Sequence, residues 1–477
     1  MTNFWDSSVW GSFLVIGLLL AVLLISNIIK KALPFLRRSL VPTSVLGGLL
    51  LLVFCAVFKW ITGVNFFDIR MENGDYFFGT NGGVDILETL TYHCLALGFI
   101  ASALKSSPNK ISKKRTVEII DTGATTVSTY LIQGIFGLVI TLIVALIIPG
   151  FFGAAGILLP FGYGQGTGQA MNYGAIFETE YGFDGGLSFG LTIAALGFLS
   201  ASVGGVIHLN ILRRRGKLGK SERVDSILHS EEIESPDEIP MQESIDKMTL
   251  QISLIAVAYM LTYGIMAAIV AIYPGLRTLI YGFNFLVGVL SASLIKVSLK
   301  LMQKLHITKE RYTNNFLLTR ASNLFFDVMV IAGIAAIDLS VLESYWGIMI
   351  ILGATGFVVT YVYNRFVAAK LFPDYREEQF LMMYGMLTGT ASTGIILLRE
   401  ADPDFKTPAA DNMVLQNFPA IILGFPMMFL ATYAAVRPIL TLCILAVYFI
   451  GLNLFLFRKF IFRKRNAAKT EEENASE

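Results

Sequence analysis

Thr167, Thr388, Thr390, Ser392 and Thr393 stand among glycines in two short stretches of an otherwise apolar chain. Hydroxyl oxygens and unwound carbonyls suit Na⁺, a hard cation, whereas unpaired N–H groups at a helix N-terminus suit a carboxylate. The first stretch is Gly162-Tyr163-Gly164-Gln165-Gly166-Thr167-Gly168-Gln169, and the second runs from Gly385 through Thr388, Gly389 and Thr390 to Gly394. Each glycine costs a helix roughly 1 kcal/mol against alanine, so both stretches are expected to break. Hydrocarbon tolerates such breaks only beside a cavity or inside protein, and paired glycine-interrupted segments point to a transporter's binding site. The expected solute and ion site therefore comprises Gly164, Gln165, Gly166, Thr167, Gly168, Gln169 and Asn172 from the first stretch. The second contributes Gly385, Thr388, Gly389, Thr390, Ser392 and Thr393, with Thr167, Thr388 and Thr390 as Na⁺ ligands.

Asp327 is the charge least expected where it stands, since a centred aspartate costs about 2.5–3.5 kcal/mol on insertion scales. With Arg320 and Asn323 it forms one polar helix face. It is either a cation ligand, added with Asn323 to the candidate site, or half of a structural pair with Arg320. Thr122, Thr126, Thr129 and Gln133 form a stripe that lines a pathway or bonds neighbouring helices. Glu88 reads as interfacial and His93 as packed or proton-linked. Arg399 is either a clamp for a second carboxylate or, ten residues and about 15 Å past the hairpin tip, follows the positive-inside bias. Asn412, Gln416 and Asn417 open a later span, and Asn417 joins the candidate site.

A chain of 477 residues that are 55% hydrophobic and 15% charged, with mean hydropathy +0.65, is not an ordinary soluble protein. A net charge of +2 suggests no nucleic-acid partner. Cys55, Cys94 and Cys443 and the four histidines lack metal spacing, and no cofactor is implied beyond a coupling ion. Dinucleotide, phosphate-loop and HExxH fingerprints are missing, so an enzyme is not expected. Apolar runs near 9–29, 40–60, 86–104, 120–149 and 186–212, then 250–273, 278–297, 321–340, 345–364, 411–435 and 438–457, are each long enough to span a bilayer.

Basic residues assign orientation. Lys30, Lys31, Arg37 and Arg38 follow the first run. Lys105, Lys110, Lys113, Lys114 and Arg115 follow the third, and Arg213, Arg214, Arg215 and Lys217 the fifth. These loops lie on one side only if the glycine-rich segments at 153–180 and 378–400 enter and return without crossing. The acidic loop with Glu72 and Asp75 then lies outside. The expected fold is an all-α polytopic membrane protein of about 11 transmembrane helices plus two re-entrant hairpins in two inverted-topology repeats. Residues 1–212 form the first repeat, 213–248 a cytoplasmic linker, 249–436 the inverted repeat, 437–457 an extra span and 458–477 a charged cytoplasmic tail. The N-terminus is outside. Gly164, Thr167, Gly168 and Ala170 match Gly385, Thr388, Gly389 and Ala391 at one offset.

Gly166-Thr167-Gly168, Tyr181-Gly182-Phe183 and Gly204-Gly205, with Val41-Pro42 and Gly47-Gly48-Leu49-Leu50, resemble the bacterial sodium/glutamate symporter family. The second glycine stretch departs from that family's glycine-richer version. The resemblance implies a homodimer in the bacterial inner membrane, sodium-driven transport of glutamate or a related amino-acid or dicarboxylate anion, and an elevator-like movement. A proton-coupled organic-anion carrier and an ion channel with re-entrant filter loops are the alternatives.

Overall fold

The computed structural model describes residues 7–38, 40–71, 74, 76–78, 83–105, 112–215, 245–306, 312–402 and 406–460. The expected linker's 216–244, the tail's 461–477 and the loop residues Glu72, Asp75 and Lys110 lie outside the described residues. In chain order the helices are α1 (Ser7–Ala32), α2 (Pro34–Arg38), α3 (Thr43–Thr62), α4 (Gly83–Leu104), α5 (Lys113–Ile147), α6 (Leu158–Gln165) and α7 (Thr167–Tyr181). They continue as α8 (Gly186–Arg214), α9 (Lys247–Ile272), α10 (Arg277–Gly282), α11 (Asn284–Lys304), α12 (Asn315–Ala335) and α13 (Trp346–Leu371). The last five are α14 (Arg376–Thr388), α15 (Ala391–Ala401), α16 (Ala409–Leu415), α17 (Asn417–Val436) and α18 (Pro438–Leu456). Among the described residues eleven helices are long and apolar enough to cross a membrane, the architecture of a multi-pass membrane protein. They follow the eleven apolar runs, although α5 begins earlier than expected and takes Lys113, Lys114 and Arg115 into its first turn.

Local signals explain several boundaries. Ser112 accepts the Arg115 N–H at the start of α5, Asp246 accepts those of Met248 and Thr249 at α9, and Asn314 accepts those of Phe316 and Leu317 at α12. Each satisfies N–H groups that a helix cannot pair internally. Gly63 closes α3 in the left-handed region, at φ +74°. Trp60, Leu146, Met260 and Val447 keep more than two thirds of their surface exposed. Apolar faces of this kind are suited to lipid as their solvent.

The chain divides into two compact units, each drawing on both halves of the sequence. The first contains α1–α4 and α9–α12. Its α12 packs against α3 and α4, and α11 against α4 and α9. Ile100, Ala101, Leu104, Ile255, Ala258, Ala292, Leu318 and Ala321 form a core among these helices.

The second unit contains α5–α7, α8 as far as Leu209, and α13–α18. Two helical hairpins lie here, α6 folding back on α7 and α14 on α15. The Phe161 and Tyr173 rings stack at 4.0 Å within the first. In the second, Gly385 and Gly394 face each other so closely that a Cβ on Gly385 would lie 2.8 Å from the Gly394 Cα. The entry to the first hairpin is pinned to α5, because the Thr141 hydroxyl donates to the Gly153 carbonyl (2.7 Å) and accepts the Gly156 N–H (3.1 Å). Glycines let α8 approach both hairpins, with Gly190 against the Ala170 carbonyl and Gly204 against the Tyr384 hydroxyl.

Candidate functional site

The break in the first hairpin is narrower than its glycine content suggests. Gly162 and Gly164 are helical, in α6, and Gly168 lies in α7; only Gly166 leaves the helix, at φ +83°, ψ −172°. That conformation is essentially reserved for glycine. The two earlier glycines serve packing instead, with Gly162 against Ile193 and Ala194 and Gly164 under the Tyr130 ring. In the second hairpin Gly385 is likewise helical, and the chain departs at Gly389 and Thr390.

The two breaks meet. A Cβ built on Gly166 would lie 3.7 Å from the Thr390 Cγ2 and 3.9 Å from the Gly389 carbonyl oxygen. Four helix ends therefore converge, the C-termini of α6 and α14 and the N-termini of α7 and α15. Side chains of α5 answer the C-terminal ends. The Tyr130 hydroxyl donates to the Gly164 carbonyl at 3.1 Å, and the Gln133 amide donates to the Leu387 carbonyl at 3.0 Å. Neither N-terminal end has a side-chain cap. Unpaired N–H groups and the positive dipole ends of two helices thus face the junction.

The stripe on α5 is part of this construction. Gln133 also donates to Thr360 (2.7 Å), Asn364 donates to Thr129 (3.3 Å), and Gln379 donates to Thr122 (3.1 Å). Asn412 donates to Gln379 (3.2 Å) and Tyr375 (3.0 Å), while Gln416 reaches Asn417 (3.3 Å). Buried atoms without a protein partner concentrate on the same elements: the Thr126 and Thr167 hydroxyls, both amide atoms of Gln169, and the amide oxygens of Gln133, Asn412 and Gln416. Buried polar groups normally find partners, so such a concentration marks a locus for water, ion or solute.

Two buried carboxylates of this unit, Glu377 and Asp121, are paired with arginines. Glu377, the second residue of α14, takes two hydrogen bonds from Arg365 (2.6 and 3.0 Å) and one from His208 (3.1 Å), with Arg376 at 3.2 Å. The carboxylate can only accept from the His208 Nε2–H, which leaves Nδ1 of a neutral ring to accept from Tyr361 at 2.8 Å. Asp121 accepts from Arg458 at 2.8 Å. Asn453 of α18 donates to Ser128 and accepts from Tyr363, tying the last span to α5 and α13.

The expected residues are thus sorted by the structure. Gln165, Gly166, Thr167, Gly168 and Gln169 surround the first break, with Asn172 buried one turn further along α7. Thr388, Gly389, Thr390, Ser392 and Thr393 surround the second. The matching of Thr167 with Thr388 is corrected, because Thr167 opens α7 whereas Thr388 closes α14 and donates back to the Tyr384 carbonyl at 2.6 Å. Gly385 sits in a helix interior, and Gly164 is the penultimate residue of α6. Asp327 and Asn323 belong to the other compact unit. There Asp327 has the Ser44 hydroxyl within hydrogen-bonding reach, and Arg320 lies over the Phe316 ring at 4.4 Å. No Arg320–Asp327 ion pair forms among the described residues. Seven residues advance a helix by about 10.5 Å, two turns apart, which accounts for its absence. His93 is exposed, its ring beside those of Tyr92 and Tyr259 and bonded to the Tyr259 hydroxyl at 2.5 Å.

Tyr130, Thr360 and Asn364 were not expected at the site. Thr360 and Asn364 stand one turn apart in an apolar span, a spacing that singles them out as inward-facing. No protein-family model matches the chain, and no curated protein matches it.

Proposed function

We propose that this protein is a secondary active transporter that couples Na⁺ entry to uptake of an amino-acid or dicarboxylate solute, with the paired helix breaks as its binding site. The observation that carries the reading is the junction of two broken helical hairpins, where two uncapped helix N-termini meet inside a membrane-spanning unit. Helix N-termini attract a carboxylate, and the hydroxyls of Thr167, Thr388 and Thr390 offer oxygen to Na⁺. The hairpins are re-entrant, entering from opposite faces as halves of an inverted repeat, with the N-terminus outside and the C-terminus cytoplasmic. The second unit is the body that moves in an elevator-like cycle, and the resemblance to the sodium/glutamate symporters supports a homodimer in the bacterial inner membrane.

The test is uptake into proteoliposomes containing the purified full chain. Saturable accumulation of a labelled amino acid or dicarboxylate that collapses when choline replaces external Na⁺ at fixed pH is expected. Accumulation unaffected by choline excludes sodium coupling, and passive ion current without accumulation identifies a channel instead. Asp327→Asn is expected to leave the half-saturating Na⁺ concentration unchanged; a shift would bring the first unit into ion binding.

A further inference from the structure

We infer that the site selects a solute with one carboxylate and one uncharged primary amide, the chemistry of glutamine or asparagine, over one with two carboxylates, and that Gln169 reads the amide. This rests on the transporter reading and narrows its substrate.

The first observation is the count of positive character at the junction. The uncapped N-termini of α7 and α15 each contribute about half a unit charge, sufficient for a single carboxylate. Beyond the coupling Na⁺, which accompanies either solute, a second carboxylate needs a cation from the protein, because a buried charge without a partner is strongly disfavoured. Among the described residues of this unit, the nearby arginines are committed elsewhere. Arg365 is bidentate on Glu377, eleven residues before Thr388 and so about 16 Å along α14 from the break. Arg458 is bonded to Asp121, twelve residues before Gln133 and so about 18 Å from it along α5. Arg399 is exposed, nine residues beyond Thr390.

The second observation is Gln169 itself. Its side chain is 1% exposed, yet neither its amide oxygen nor its amide nitrogen has a protein partner. It is the third residue of α7, next to the uncapped N–H groups. Tyr173, one turn on and on the same face, donates to the Met428 carbonyl of α17. The Thr167 hydroxyl, 0% exposed, is also without a partner. A free amide edge presents a donor beside an acceptor. A primary amide satisfies both with two hydrogen bonds, whereas a carboxylate satisfies only the N–H₂ and sets its own oxygen against the Gln169 oxygen. A site built to hydrogen-bond a substrate group discriminates strongly against an analogue that leaves its buried atoms unpaired.

The experiment compares labelled glutamine, asparagine and glutamate under an inward Na⁺ gradient in proteoliposomes, with ligand-induced stabilisation of the detergent-solubilised protein as a second readout. Glutamine or asparagine is expected to half-saturate uptake at a concentration about tenfold or more below that of glutamate, and to raise the unfolding midpoint where glutamate does not. Gln169→Leu should abolish the preference, and Gln169→Asn should retain part of it, which separates amide recognition from misfolding. Glutamate favoured by the wild type in both readouts, or a preference unchanged in Gln169→Leu, would overturn the inference while leaving the transporter reading intact. Stabilisation by glutamine without Na⁺-driven uptake would keep the inference and remove the transporter reading.

Discussion

The two helix breaks meet at one place but are enclosed differently. Ala155–Gly164 and Gly166–Gly174 are buried without interruption, and the break itself depends on one glycine at positive φ. In the second hairpin α14 is buried but α15 is not: Ala391 and Arg399 are exposed, and Ser392, Ile395 and Ile396 are half-buried. Polar atoms divide in the same way. Thr167 and Gln169 of the first break are without partners, whereas Thr390 and Thr393 lie 3.4 Å from each other. Local opening is cheapest where buried contacts are fewest, so α15 is expected to open more readily than the first hairpin.

The largest test of that contrast is Gly166→Ala, which forces a Cβ into a conformation costing about 1–3 kcal/mol and should abolish uptake. Gly389→Ala, at φ −145° and crowding the Thr393 hydroxyl and Phe198, should lower the unfolding midpoint less. Equal losses would erase the distinction between the breaks. Next in size, Gln133→Leu leaves the Leu387 carbonyl and Thr360 without their donor and should cost about 1–3 kcal/mol by chemical denaturation. Tyr130→Phe keeps the ring over Gly164 and removes only the donor to its carbonyl, so about 0.5–1.5 kcal/mol is expected. A reversed order would make the first break the more dependent on α5.

The smallest effect concerns the corner after α15. Burial pushes the Asp402 carboxyl up, but the Thr407 hydroxyl and the N–H groups of Thr407 and Lys406 outweigh it and hold the group below its ordinary value. A lowered folded value stabilises above the unfolded value, about 3.9, and that contribution disappears as pH falls through the lower folded one. Asp402→Asn should flatten this acid-side dependence of the unfolding midpoint and leave neutral-pH uptake in place.

Spans were legible in the sequence because twenty consecutive apolar residues carry their meaning locally. The positions of the breaks were legible only to within a few residues. Glycine is costly in a helix by propensity, yet Gly162 and Gly164 stay helical because Ile193 and the Tyr130 ring pack where a side chain would stand. The same limitation misaligned Thr167 with Thr388: short glycine–threonine matches carry no information about which side of a break a residue occupies. Among the site's polar residues, the α5 stripe was visible by its helical spacing. The division into units, which separates Asp327 from Thr167, depends on contacts between distant parts of the chain that no local pattern encodes.

Helix α5 has 35 residues, a length of about 52 Å, whereas bilayer hydrocarbon is about 30 Å thick. Its closing turn is greasy, with Leu146 and Ile147 bare, so the surplus belongs to the opening turns around Lys113, Lys114 and Thr116. The rod that carries Tyr130 and Gln133 to the two breaks thus extends beyond the hydrocarbon at its N-terminal end. Under the elevator-like cycle proposed above, a fluorophore at Thr116 should change its distance from a dye-labelled lipid surface with each stroke.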